Sequence, residues 1–214
     1  MADCCNDQPA MDNTTPAYRR VLWIVIGLNL GMFAVEMFAG LKGQSLALQA
    51  DALDFLGDGL TYGLSLAVLG MAVRVRATAA LIKGLSLALL AAWVLGSAIW
   101  RAFMVGEPSP LVMGSVGMLA LATNAASALL LLRYREGDAN VRSVWLCSRN
   151  DAIGNVAVLA AAGLVATTGA AWPDLAVAAG MASLFLASSV GIVRQARGEL
   201  REASGVVEYS GGST

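Results

Sequence analysis

Six runs of roughly twenty apolar residues, separated by short polar turns, leave this chain one workable solvent, which is lipid. The runs are apolar around the helix rather than along a single stripe, so no face suits water. Composition agrees, with 57% hydrophobic and 14% charged residues over 214 positions and a mean hydropathy of +0.67. The expected fold is all-α: a polytopic membrane bundle of six transmembrane helices near 20–41, 45–70, 77–101, 110–132, 142–168 and 173–194. Breakers support these divisions, among them Lys42-Gly43-Gln44-Ser45, Gly106-Glu107-Pro108-Ser109-Pro110 and Trp172-Pro173.

Basic residues are retained on the cytoplasmic side of short loops, so their distribution sets the expected orientation. Arg19, Arg20, Arg74, Arg76, Lys83, Arg133, Arg135, Arg142, Arg194, Arg197 and Arg201 fall on the side of the termini, against Lys42 and Arg101 opposite. Both termini are therefore expected in the cytoplasm. Residues 1–18 are polar and mildly acidic, lack the regions of a cleaved signal peptide, and are expected to form a disordered cytoplasmic tail. Residues 19–195 form the expected six-helix domain, and 196–214 a short cytoplasmic tail that starts helical and ends too Gly/Ser-rich to fold independently. The basic residues are dispersed rather than gathered in a patch, which argues against nucleic acid as a partner. Cys4 and Cys5 are adjacent and Cys147 stands alone, so no disulfide framework is legible.

Against this apolar background the second run reads SLALQADALDFLGDGLTYG, with Asp51, Asp54 and Asp58 in the middle of the span. An aspartate at a helix centre opposes insertion by about 2.5–3.5 kcal/mol, so these must face protein or water rather than lipid. Their i,i+3 and i,i+4 spacing puts all three on one face. The fifth run repeats the pattern, with Cys147, Asp151 and Asn155 at successive i,i+4 steps and Asn150 beside them. Two antiparallel helices would bring Asp58 and Asp151 to similar depth. Three carboxylates and a thiol from two helices can offer four ligands to a small cation, and two i,i+4 pairs suit tetrahedral geometry. Crowded carboxylates in a poor dielectric favour keeping protons that a divalent metal would displace, so metal and protons compete for one site and can be exchanged across the membrane. Structural hydrogen bonding, or pairing with Arg149, is the bland alternative; intramembrane acids are by default functional.

These residues resemble the cation diffusion facilitator family of divalent metal transporters, whose second and fifth helices each carry an acidic or histidine residue four positions before an aspartate. Asp54/Asp58 and Cys147/Asp151 stand at the matching positions, Asp51 at the acidic position preceding them, and Asn29, Glu36 and Gly40 look like the family's first-helix pattern. The resemblance spans residues 20–195 and implies export of zinc or related ions from the cytoplasm by proton antiport, by a homodimer in a membrane, here the bacterial inner membrane. The metal is then cargo, with no permanent cofactor, and the implied ligands are Asp54, Asp58, Cys147 and Asp151, with Asp51, Asn29, Glu36, Asn155 and Asn150 lining the path or supporting the ligands.

Two departures qualify the likeness. The chain has no histidine, and a thiolate at Cys147 favours Zn²⁺ or Cd²⁺ over Mn²⁺, whereas a Cys147 that merely packs shifts preference toward harder ions. The family's cytoplasmic metal-binding domain is expected to be missing after the sixth helix, which leaves dimerisation to the membrane part; Cys4 and Cys5 can capture metal at the cytoplasmic mouth or be incidental. A membrane metal sensor or donor is the alternative without transport. An intramembrane aspartyl protease is the enzyme alternative, disfavoured because Leu56-Gly57-Asp58-Gly59 lacks that family's glycine-x-glycine-aspartate motif.

Overall fold

Proline fits a first helical turn because its missing N–H would have no partner there, and the first and fourth helices both begin on one. In the computed structural model, which describes residues 16–67, 71–103, 107–134 and 139–210, side chains are described throughout except at 65, 139–147 and 204–210. The helices are α1 (Pro16–Lys42), α2 (Leu46–Ala67), α3 (Val73–Arg101), α4 (Pro110–Leu131), α5 (Ala139–Thr168) and α6 (Trp172–Ser210), with a single 3₁₀ turn, Leu132–Tyr134, after α4. All regular structure among the described residues is helical. Four ends extend past expectation: α1, α3 and α5 start three or four residues early, and α6 continues through RQARGELREA. That extension is rich in strong helix formers and tied by a Gln195–Glu199 hydrogen bond of 3.1 Å at i,i+4.

Five of the helices, α1, α3, α4, α5 and α6, are long and apolar enough to cross a membrane. The exception, α2, carries three aspartates in its 22 residues and lies at the centre, touching each of the other five. Around it α3 packs on α6, α4 on α5, and α1 on α2 itself. Large apolar side chains cover the outside, with Leu89 74%, Trp93 67% and Trp100 66% exposed. Such a surface would promote association in water and is the solvated surface in hydrocarbon.

The connections α1–α2, α3–α4 and α5–α6 gather at one end. Ser109 N donates to Gly43 O at 2.9 Å, and Arg101 Nη1 to Gln44 O at 2.5 Å. Asp174, in the first turn of α6 and 1% exposed, caps the start of α2: its carboxylate accepts from Ser45 Oγ (2.6 Å), Leu46 N (2.8 Å) and Ala47 N (3.1 Å). At the other end Tyr18 of α1 meets Tyr134 edge to face at 5.2 Å. Gly169, at φ +62°, closes α5 in the left-handed conformation that only glycine adopts cheaply, its N–H returning to Val165 O.

Two expectations need correction. Small residues at helical spacing, Gly27 with Gly31, Gly114 with Gly117 and Gly154 with Ala157 and Ala161, suggest close helix approach, yet a Cβ at Gly27, Gly31 or Gly114 would meet nothing within 4 Å. Close approach does occur at Gly117, where a Cβ would lie 3.3 Å from Leu159, as that spacing suggests, and also at Gly84, where it would come within 3.0 Å of Ile192 and Val193. Lys83, counted above among the loop cations, is 3% exposed and lies inside α3.

Candidate metal site between α2 and α5

Because α2 is enclosed on all sides, its aspartates point into protein, as their cost in lipid demands. Asp51 is 1% exposed and held in a polar chain across three helices: Asn155 Nδ2 of α5 donates to Asp51 Oδ2 at 2.6 Å, and Asn124 Nδ2 of α4 donates to Asn155 Oδ1 at 3.0 Å. Helix-to-helix bonding is thus what Asn124 and Asn155 do here. Glu36 of α1, fully buried, faces Asp51, and neither of its oxygens closes a hydrogen bond of ordinary geometry among the described residues. Asn29 serves its own helix, donating to Val25 O at 2.9 Å.

One turn further along α2 the surroundings change. Asp54 is half-buried, stands within hydrogen-bonding reach of Asp151 on α5, and lies close enough to Asp51 and Asp58 to feel both charges. Its other side borders a partly open cavity of about 50 Å³ between α2, α3, α5 and α6, which Thr61, Lys83 and Phe185 also line. Asp58, 3% exposed, accepts from Tyr62 Oη at 2.7 Å. Asp151 is 8% exposed, while Asn150 beside it is half-buried and accepts from the exposed Arg149 at 3.1 Å.

The structure therefore brings Asp54 and Asp151 together, with Asp58 one turn away, and links Asp51 to Asn155. Asn29 and Asn150 each make a local hydrogen bond, to Val25 O and from Arg149. The side chain of Cys147 falls outside the described residues, as do Cys4 and Cys5. Among the described side chains no group of three or more Cys, Asp or Glu converges closely enough to hold a metal ion. Tyr62, Thr61 and Lys83 were not singled out from the sequence as neighbours of these acids. Tyr62 lies four residues after Asp58 and so on its face, a signal that was available. Lys83 required knowing how α3 rotates against α2.

Comparison with known proteins bears on what such a bundle is. The chain is 26% identical over 200 residues to the cadmium, cobalt and zinc/H(+)-K(+) antiporter of Bacillus velezensis, covering 87% of this chain and 64% of that protein. It is 29% identical over 171 residues to the metal cation efflux system protein CzcD of Cupriavidus metallidurans, covering 74% of this chain and 54% of that one. The chain thus spans between about half and two thirds of the length of these relatives. Residues 22–200 match the cation efflux transmembrane domain, a stretch that runs from within α1 to within α6 and contains every acid just described. That match covers most of the sequence, and the chain belongs to the cation diffusion facilitator family, as an integral membrane protein of the bacterial inner membrane.

Proposed function

We propose that this protein carries a divalent transition-metal cation, Zn²⁺ or Cd²⁺ foremost, out of the cytoplasm in exchange for protons, through a site between α2 and α5. Asp54, Asp58 and Asp151 supply carboxylate ligands, and Cys147, four residues before Asp151, supplies the thiolate. The observation that carries this reading is the approach of Asp54 to Asp151 across two helices, at the edge of a partly open cavity. Two acids placed side by side in a low-dielectric interior repel unless something positive lies between them, and a divalent ion or a proton meets that need. In this geometry Asp58 accepts from Tyr62 through Oδ2 and does not converge with the other two acids, so gathering a third carboxylate means bringing Asp58 toward them. Protons and metal then compete for the same oxygens, which makes metal affinity fall with falling pH and couples the two fluxes.

In this reading all six helices span the membrane, both termini are cytoplasmic, and the working unit is a homodimer formed through the membrane part. The polar chain Asn124–Asn155–Asp51 holds α4, α5 and α2 in register around the site. Metal-sensitive dye inside proteoliposomes, under an imposed proton gradient, tests the proposal. Flux of zinc or cadmium is expected, abolished by Asp54→Ala or Asp151→Ala; flux indifferent to both substitutions rejects it. In the same assay Cys147→Ser is expected to lower zinc and cadmium flux while sparing manganese, since thiolate selects softer ions. Equal losses for all three metals remove Cys147 from the ligand set.

A further inference from the structure

Lys83 is the one buried cation among the described residues, and the transport reading leaves it unused. It lies in the interior of α3 at 3% exposure. Its ammonium donates to Thr61 Oγ1, and Thr61 spends its own proton on Gly57 O at 2.6 Å, so the hydroxyl presents a lone pair to Lys83 and the polarity of the pair is fixed. Thr61 follows Asp54 by two helical turns on α2 and Asp58 by one. Lys83 and Asp54 open on the same cavity from α3 and α2, with Ser188 and Ser189 of α6 beside them. An ammonium taken out of water needs compensating charge, and the α2 carboxylates are the acids on the helix it bonds. Its four-carbon stem is flexible enough to swing between Thr61 and those acids.

We propose that Lys83 is a tethered counter-cation of the α2 carboxylates, a specificity-determining residue against which an incoming ion must compete. The proposal rests on the assignment of Asp54 to the cation site. An ammonium already supplies one positive charge to this space, so a monovalent ion gains little by entering, while a divalent ion offers the stronger field. Lys83 also keeps affinity low enough for release, since the carboxylates regain a partner when the ion leaves.

Cadmium binding to the purified full chain in detergent, measured by calorimetry for four variants, tests this. Lys83→Met keeps the apolar stem and deletes the charge, and is expected to tighten cadmium binding about tenfold, a modest share of a charge–charge interaction at an effective dielectric near 20. Lys83→Arg restores wild-type affinity to within about threefold, the charge being kept. Thr61→Val removes one acceptor of the ammonium, leaves its charge the more to the carboxylates and weakens binding. A purely structural Lys83–Thr61 tie predicts instead that Lys83→Met and Thr61→Val, which cut the same hydrogen bond, shift affinity in the same direction. Shifts of the same sign, or no shift for Lys83→Met, overturn the inference. Asp54→Asn separates the two levels: if it binds cadmium as wild type does, the site itself is misassigned and both readings fall. If it loses binding while Lys83→Met changes nothing, only the role of Lys83 falls.

Discussion

Asp51 and Asp54 sit three residues apart on one face of α2, and the bundle treats them differently. Asp51 is sealed, 1% exposed, and bonded at 2.6 Å to an asparagine that is itself bonded to a third helix. Asp54 is half-buried, faces another acid, and borders a cavity. A satisfied buried carboxylate fixes helices in place; one set against a like charge at a cavity edge is suited to an exchangeable cation. The same residue type therefore does two jobs, and its neighbours on α4 and α5, more than its own position on α2, decide which.

The contrast breaks most sharply at Asp54. Asp54→Ala is expected to reduce metal affinity by at least about a hundredfold, beyond the 10–100-fold typical of residues that only support ligands, while thermal unfolding stays close to wild type. A folded Asp54→Ala protein with unchanged affinity would erase the distinction between the two turns. Asn155→Leu attacks the other side. An interhelical hydrogen bond in a membrane is worth only about 0.6 kcal/mol on average, but orphaning a buried charged partner costs more, about 1–3 kcal/mol. A drop in stability of about 2 kcal/mol, with metal affinity down about tenfold through loss of register, is the expected outcome in denaturation and binding assays. Stability unaffected by Asn155→Leu would mean that the Asp51 chain ties nothing.

Asp174→Ala removes the acceptor of three donors at the start of α2 and is expected to cost about 1–2 kcal/mol, with affinity per folded molecule unchanged. A large change in affinity without loss of stability would show that the α2 start is coupled to the site rather than merely anchored. Tyr62→Phe makes the smallest perturbation. It frees Asp58 from the phenol and is expected to tighten metal binding a few-fold, the worth of one hydrogen bond of about 1 kcal/mol. Weaker binding would place Tyr62 among the groups that support the bound ion.

Much of this arrangement was legible in the residues, for definite reasons. Three aspartates in an apolar run force a central, enclosed helix, and i,i+4 spacing puts Asp54 and Asp58 on one face and Asp151 and Asn155 on another. What pairing took place across helices was not legible. The resemblance put Asp54 and Asp151 in one set, but that Asn155 meets Asp51, and which turns of α2 and α5 come opposite, depends on how α5 is rotated and how deep it sits, and spacing within one helix carries neither. Asp174 caps a helix 128 residues before it in sequence, a tertiary bond with no local signature. Lys83 was counted with the cations on the side of the termini although it falls inside the expected third run, and its burial against the neighbouring helices is a tertiary contact with no local signature. The open positions Gly27, Gly31 and Gly114 show the converse: a packing pattern in sequence without a neighbour in space.

The central claim is that Asp54 and Asp151 act as one unit from two helices, and a double-mutant cycle on cadmium affinity tests it directly. Asp54→Asn and Asp151→Asn should each lose most of the binding, and the double variant should lose little more than either, because removing one ligand already dismantles the site. Losses that simply add, or binding that survives either substitution, would contradict a shared site between α2 and α5.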